Sequence, residues 1–220
     1  MNTRVRAIAI TVAIFASLTY LFAWSSIFTV KKIEVNGLPK EVSSVTVIEK
    51  SEIRLGEKLA RIEPRSIEKK LEEISWLNSV SVDRHWAHSS VEIRVSPRIP
   101  VGVFKGRALD SSGTLFDLPG KAPLSLPIVS GSNSTLGLQA ITLFTALPLD
   151  LRNSVISLNA ANESAISSWQ KFQGRKLKVM WGSAGQIDLK VSVYRALLAL
   201  PENKSITRVD LSAPHAPIVK

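Results

Sequence analysis

The sequence predicts an α+β protein in three parts: an N-terminal transmembrane helix, a small domain of mixed helices and strands, and a second, β-rich domain. Three observations predict it. An uncharged apolar run extends from Ala7 to Trp24, residues 28–98 alternate between strand-like and helix-like patterns, and residues 99–220 consist largely of short strand-like segments between turn residues. No linker separates the apolar run from the first strand-like segment, so the folded domains are expected to start beside the membrane.

Composition limits the class of protein. The 220 residues are 45% hydrophobic and 21% charged, which is typical of a folded chain. Cysteine is absent, which excludes a disulfide framework and a thiolate zinc site. The net charge is +10, but the basic residues are scattered singly or in pairs such as Lys31–Lys32. Because no ribbon of basic and aromatic residues appears, we expect a solvated basic surface and no nucleic-acid partner.

Residues 7–28 predict a membrane anchor, and residues 1–6 a short cytoplasmic tail. A helix over Ala7–Trp24 extends about 27 Å, close to the roughly 30 Å thickness of the hydrocarbon core. Arg4 and Arg6 precede the run, which favours the N-terminus on the cytoplasmic side. The sequence therefore predicts a single-pass protein of the plasma membrane, in contact with the lipid bilayer, with its domains outside the cytoplasm.

A cleaved signal peptide is the alternative, with Ala23-Trp24-Ser25 as a poor cleavage site. The apolar run is longer than the roughly 7–15 residues usual for such a peptide. Cleavage would also leave almost no spacer before the strand-like segment that starts at Phe28. The sequence therefore favours an uncleaved anchor.

The first domain, residues 28–98, is predicted to run strand, helix, helix, strand, strand. Ser43 or Ser44 can cap the first helix, and Pro64 suits the first turn of the second helix. Apolar residues alternate with polar residues in the three predicted strands, which are centred on Ile33–Val35, Val80–Val82 and Val91–Val95. One apolar face on each strand predicts a sheet that packs its helices on one side.

The second domain, residues 99–220, is predicted to be rich in strands. Leu109–Asp110 leads into a turn at Gly113, and Gln186–Lys190 is predicted to return beside Lys176–Trp181 around a glycine-rich turn. Helices are predicted at Leu136–Leu147 and Val191–Leu200. The last strand is predicted at Ile206–Leu211, with Ile218 and Val219 continuing it after a break at Pro214.

The first domain resembles the POTRA domain of the FtsQ/DivIB family of bacterial cell division proteins. Three motifs carry this resemblance: Phe28-x-Val-x-x-Ile-x-Val-x-Gly37, Gly56-x-x-Leu59-x-x-Ile62 and Trp76-Leu-x-x-Val80-x-Val82-x-Arg84-x-Trp86. The second domain is similar to the β domain of the same family, especially in its actinobacterial branch. The motifs there are Leu109-Asp-x-x-Gly113, Leu126-Pro-x-x-x-Gly131, Val179-x-Trp-Gly-Ser183 with Lys190 downstream, and Val209-Asp-Leu-Ser-x-Pro-x-Ala-Pro217.

The resemblance implies a scaffold of the cell division complex at the septum that binds other division proteins and performs no catalysis. In the family, the C-terminal strand of the β domain pairs with a segment of a membrane-anchored coiled-coil partner of the FtsB/DivIC type, itself joined to an FtsL-type protein. The POTRA domain is associated with recruitment. By match, the partner-binding residues expected here are Arg208, Val209, Asp210, Leu211 and Ser212, followed by Ile218 and Val219.

Patterns that would indicate chemistry are weak. His85 and His88 lack a third ligand nearby, and Gly182-Ser183-Ala184-Gly185 lacks the spacing of a nucleophile elbow or a phosphate loop. We therefore expect no catalytic residue, metal, cofactor or small-molecule substrate. Two alternatives remain: a POTRA-bearing export or secretion component that chaperones unfolded strands, and an exported cell-wall hydrolase.

Overall fold

The computed structural model describes residues 3–23 and 28–220 of the chain. The N-terminal helix, α1, spans Thr3–Ala23. Within the described ranges, no helix combines the length and the apolar character that crossing a membrane requires. The predicted anchor at residues 7–28 is therefore not shown, and its positions 24–27 lie outside the described residues.

The remaining chain divides into two compact units after Arg98. The first unit contains a three-stranded sheet in the order β1-β3-β2, with β1 parallel and β2 antiparallel to the central strand. A 3-10 turn at Leu59–Arg61 precedes the second of its two helices. In chain order its elements are β1 Lys32–Asn36, α2 Ser44–Ser51, α3 Pro64–Glu72, β2 Leu77–His85 and β3 Ser90–Pro97.

Local signals account for these elements. Of the two candidate caps, Ser43 is the one used: its side chain accepts the N–H of Val45 and caps α2. Pro64 occupies the first turn of α3, as predicted. The buried core of the unit unites both helices with the sheet through Val47, Leu59, Leu71, Val91 and Ile93. The predicted order of strands and helices is confirmed here.

Two details of the first unit differ from or add to the prediction. The first strand begins at Lys32 and not at Phe28, because the N–H and C=O of Val30 bond to the loop at Gly56 and Glu57. At the outer side of β2, the Glu68 carboxylate on α3 accepts the N–H of Val82 at 2.9 Å. A side chain thus occupies a ladder position at the rim of this sheet.

The second unit contains a nine-stranded mixed sheet in the order β12-β11-β10-β9-β8-β7-β4-β5-β6. Helices α4 and α6 pack on one face of the sheet, where Leu143 and Tyr194 join the buried core with Trp181. The elements are β4 Pro100–Phe104, β5 Arg107–Asp110, β6 Leu115–Phe116, β7 Ile128–Gly131, α4 Ser134–Ala146, α5 Leu149–Ser154, β8 Val155–Ala160, β9 Ile166–Phe172, β10 Arg175–Gly182, α6 Ile187–Ala199, β11 Arg208–Asp210 and β12 Ile218–Val219.

One element of the second unit was predicted wrongly. Gln186–Lys190 does not return as a strand beside Lys176–Trp181; Gln186 is the residue before α6, whose first turns include Lys190. The partner of β10 in the antiparallel direction is β9. Residues Ile187, Val191 and Tyr194 face the core at helical spacing, which extends the predicted helix backwards by about one turn. The overall class, mixed α and β with a large sheet, is confirmed.

Candidate partner-binding edge

The seven residues predicted to bind a partner lie on a hairpin, β11–β12, at one end of the nine-stranded sheet. β11 pairs in parallel with β10, and β12 pairs antiparallel with β11. The turn that joins β11 to β12 contains a hydrogen bond from the N–H of Ala216 to the carbonyl of Ala213, 2.9 Å long. The structure therefore brings all seven residues into one structural element.

Two of the seven residues face inward. Val209 and Leu211 are fully buried and belong to the core cluster that contains Trp181. Their side chains hold the hairpin to the unit and are unavailable to a partner. Because successive side chains of a strand point to opposite faces, Arg208 and Asp210 lie on the face away from the helices.

Arg208, Asp210 and Ser212 form a small polar group at the start of the turn. Arg208 Nη2 lies 3.4 Å from Asp210 Oδ2, and the N–H of Ser212 donates to Asp210 Oδ1 at 3.1 Å. Burial alone would raise the pKa of Asp210, but the hydrogen bonds from Ser212 and Arg208 bring it below its ordinary value. The charged carboxylate thus fixes the backbone where β11 ends.

β11 is paired on both sides and is not the outermost strand on this side of the described sheet. On one side, the N–H of Leu211 donates to Met180 of β10 at 2.7 Å. On the other side, Arg208 and Lys220 exchange two backbone hydrogen bonds, both 3.0 Å long. The short last strand β12, which follows Pro217 directly, covers β11 and is the outermost strand on this side of the described sheet.

β12 therefore holds the candidate edge. Arg208–Lys220 and Asp210–Ile218 are hydrogen-bonded pairs in this register, whereas Val209–Val219 is the intervening non-bonded pair. The N–H and C=O of Val219 consequently point away from β11, toward a strand that could be added. Ile218 is 57% exposed and offers an apolar side chain beside that position. Partner binding by these residues stays a prediction.

The first unit presents a polar network on the face of its sheet. Glu92 Oε2 lies 3.0 Å from His85 Nε2 and accepts from Arg94, while Glu92 Oε1 accepts from Asn36 at 3.0 Å. Arg94 also pairs with Asp83. The hydrogen bond to His85, followed by that from Asn36, lowers the pKa of Glu92. These groups satisfy one another, so the network forms a hydrophilic surface across three strands.

The tryptophans that the structure describes divide between core and surface. Trp181 is fully buried and Trp76 nearly so, in agreement with a packing role, and the Trp86 ring meets that of Phe28 edge-on at 5.8 Å. Trp169 is 43% exposed on the helix-free face of the large sheet, with Lys178 Nζ 5.7 Å from its ring centre. Within the described residues, no three His, Asp or Glu side chains are grouped as ligands for a metal.

Two lysines near the hairpin have contacts that the sequence did not predict. Lys190 appeared only as part of a motif, yet it is buried and donates to the carbonyl of Ser183 at 2.7 Å. Lys220 was not singled out, yet its backbone holds β12 to β11. A lysine within an apolar helical face was the available signal for the first; nothing in the residue pattern indicated the second.

Comparison with known proteins gives a match to a family model and a match to a named protein. Residues 28–98 match the family model described as the POTRA domain, FtsQ-type. They form an FtsQ-type POTRA domain. The cell division protein DivIB of Macrococcus caseolyticus (strain JCSC5402) is 24% identical over 198 residues, which cover 88% of this chain. The chain spans 66% of the length of that relative.

Together the two matches support an FtsQ/DivIB family protein and confirm the resemblance that the motifs predicted. The match to the family model ends at Arg98, where the structure also divides. The part of the chain that matches the POTRA model is thus the unit with the strand, helix, helix, strand, strand order. The candidate edge lies in the unit that follows it.

Proposed function

We propose that this chain is a non-enzymatic, membrane-anchored scaffold of the bacterial division complex, which recruits and binds other division proteins at the septum. The FtsQ-type POTRA domain and the similarity to a protein named as a cell division protein support the division role. The partners proposed are membrane-anchored coiled-coil proteins of the FtsB/DivIC and FtsL types. The anchor proposed is the run at residues 7–28, supported by the uncharged sequence from Ala7 to Trp24.

Strand addition at β12 is the proposed mode of binding. The observation that carries it is the direction of the Val219 N–H and C=O, which the register turns away from β11. A partner strand beside β12 would satisfy these two groups and could place a side chain against Ile218. Because Pro217 has no N–H, the ladder on this side is short, so side-chain contacts must supply much of the affinity.

A proline substitution tests this mode. Val219→Pro removes the outward N–H but takes no hydrogen bond from the β11–β12 ladder, while Val219→Thr keeps the N–H and the branched shape. We expect Val219→Pro to weaken capture of the FtsB/DivIC-type protein of the same organism by roughly 5- to 100-fold, since an unpaired acceptor on the partner costs about 1–3 kcal/mol. Val219→Thr should stay close to the parent chain.

The readout is a pull-down of the two full-length proteins from detergent-solubilised membranes, with far-UV circular dichroism as the check of folding. Equal capture by the Val219→Pro and parent chains would contradict binding at β12.

The division role has its own test: depletion of the protein should give filaments or unseparated cells, and a fluorescent fusion should gather at the septum. Normal septation after complete loss, without a second copy of the gene, would contradict that role.

A further inference from the structure

We infer that Lys190 is a positioning residue that sets the place of the β11–β12 hairpin, an inference that rests on the proposed role of β12 in partner binding. Lys190 lies in the first turns of α6 and is only 2% exposed. Its ammonium donates to the carbonyl oxygen of Ser183 at 2.7 Å. Within the described part of the chain, no carboxylate forms an ion pair with it.

A buried ammonium without a carboxylate is costly. Burial lowers the pKa of Lys190, because the charged form loses its hydration. An unbranched apolar side chain of similar length would fill the same space without that cost, as hydrophobic replacements of buried charged groups often do. We therefore assign to Lys190 a role other than stability, which is to hold in place the backbone that its hydrogen bond contacts.

The bond holds the loop that leads from β10 into α6. Ser183 follows Gly182, which ends β10 with a φ of +71°. A Cβ on Gly182 would lie 2.9 Å from the Cα of Ser212 and 3.2 Å from its Cβ. The backbone at Gly182 thus lies close to Ser212, two residues after β11, and a shift of the loop toward Ser212 would displace that residue.

The position of Ser212 in turn affects the position of β12. Its N–H is tied to Asp210, and the turn from Ala213 to Ala216 starts immediately after it. β12 follows this turn. Its register on β11 directs the Val219 amide outward. A continuous series of contacts therefore connects the ammonium of Lys190 with the candidate edge.

Lys190→Met separates positioning from stability. The variant removes the hydrogen bond and the buried charge while keeping most of the volume, so we expect the thermal midpoint to stay the same or rise. Amide hydrogen exchange in residues 212–220 of the full chain should become about tenfold faster or more, because the hairpin opens locally more often. Lys171→Met, the same chemical change at an exposed site on β9, is the control and should alter neither quantity.

A second variant approaches the same contact from the backbone. Gly182→Ala places a Cβ against Ser212, and faster exchange of residues 212–220 is expected. Gly174→Ala is its matched control, because Gly174 has a φ of +77° and a Cβ added there would meet no atom within 4 Å. Both variants carry the strain of a positive φ, so only Gly182→Ala should loosen the hairpin selectively.

Capture of the FtsB/DivIC-type protein by the Lys190→Met chain completes the test. Faster hairpin exchange with weaker capture supports the inference together with the proposed function. Faster exchange with unchanged capture supports the position set by Lys190 and contradicts binding at β12. Unchanged exchange overturns the inference whatever the capture. A lower thermal midpoint with faster exchange throughout the second unit also overturns it, since Lys190 would then serve general stability.

Discussion

A buried chain of polar side chains on β9, β10 and α6 gives the sharpest prediction for stability. Tyr194 Oη donates to Gln170 Oε1 at 2.6 Å, and Gln170 Nε2 donates to Ser168 Oγ at 3.3 Å. Trp181 Nε1 donates to the same Ser168 oxygen at 2.8 Å. All four side chains are buried, and burial raises the pKa of the Tyr194 hydroxyl, which stays protonated as a donor.

Ser168→Ala should be the most damaging single change in this group. It removes the oxygen that accepts from both Gln170 and Trp181, and each buried donor left unpaired costs about 1–3 kcal/mol. We therefore expect a loss of roughly 2–5 kcal/mol in the unfolding free energy of the second unit. Tyr194→Phe leaves only the Gln170 carbonyl oxygen unpaired, so its expected loss is about 1–3 kcal/mol.

The assay is urea denaturation with peptide-resolved hydrogen exchange over Ile166–Gly182, which reports on β9 and β10 specifically. Ser167→Ala serves as the control, because it makes the same chemical change at a buried serine on the opposite face of β9. It removes no oxygen that accepts from Gln170 or Trp181, so it should cost less than Ser168→Ala. If Ser168→Ala proves no more costly than Ser167→Ala, the two donors do not depend on the serine oxygen and the reasoning is refuted.

Three further predictions concern the POTRA domain. The hydrogen bond from Lys70 lowers the pKa of Glu52 below 4.5. The pair therefore stabilises the domain above that pH, and the stabilisation is lost as the pH falls through the lowered pKa. We expect the urea midpoint of Lys70→Met to vary less between pH 7 and pH 3 than that of the parent chain. Arg84 donates to two backbone carbonyls from one guanidinium nitrogen, at 3.0 and 3.3 Å; Arg84→Lys should cost about 1–3 kcal/mol in urea denaturation, and an unchanged midpoint would show that these bonds contribute nothing. Leu71→Ala leaves a cavity at a fully buried site and should cost about 2–5 kcal/mol, a loss that the exposed Leu55→Ala should not reproduce.

The POTRA domain was predictable because its signals are local. Alternation in the strands is regular, Ser43 and Pro64 mark the helix starts, and the burial of Val91, Ile93 and Val95 follows the pattern in the sequence. Only the start of the first strand was misplaced, since a contact with a distant loop decides where pairing with the sheet begins.

The second unit was less predictable because its inward positions are partly polar. In β9 the inward residues include Ser168 and Gln170, which hide the apolar alternation, and the strand was missed. Lys190 likewise interrupts the apolar pattern on the face of α6 that packs against the core. The pairing of β12 with β11 was not predicted, because β12 has only two residues and is held by backbone hydrogen bonds that do not depend on residue type.

The carboxylate of Glu68 has a consequence for crowding. A long edge strand such as β2 can pair with a strand of a second molecule, and such pairing leads to ordered aggregates. Here a negative oxygen already sits on the Val82 amide and repels the carbonyl of any newcomer. Many copies gathered in a confined space would therefore pair less readily along β2 at this position.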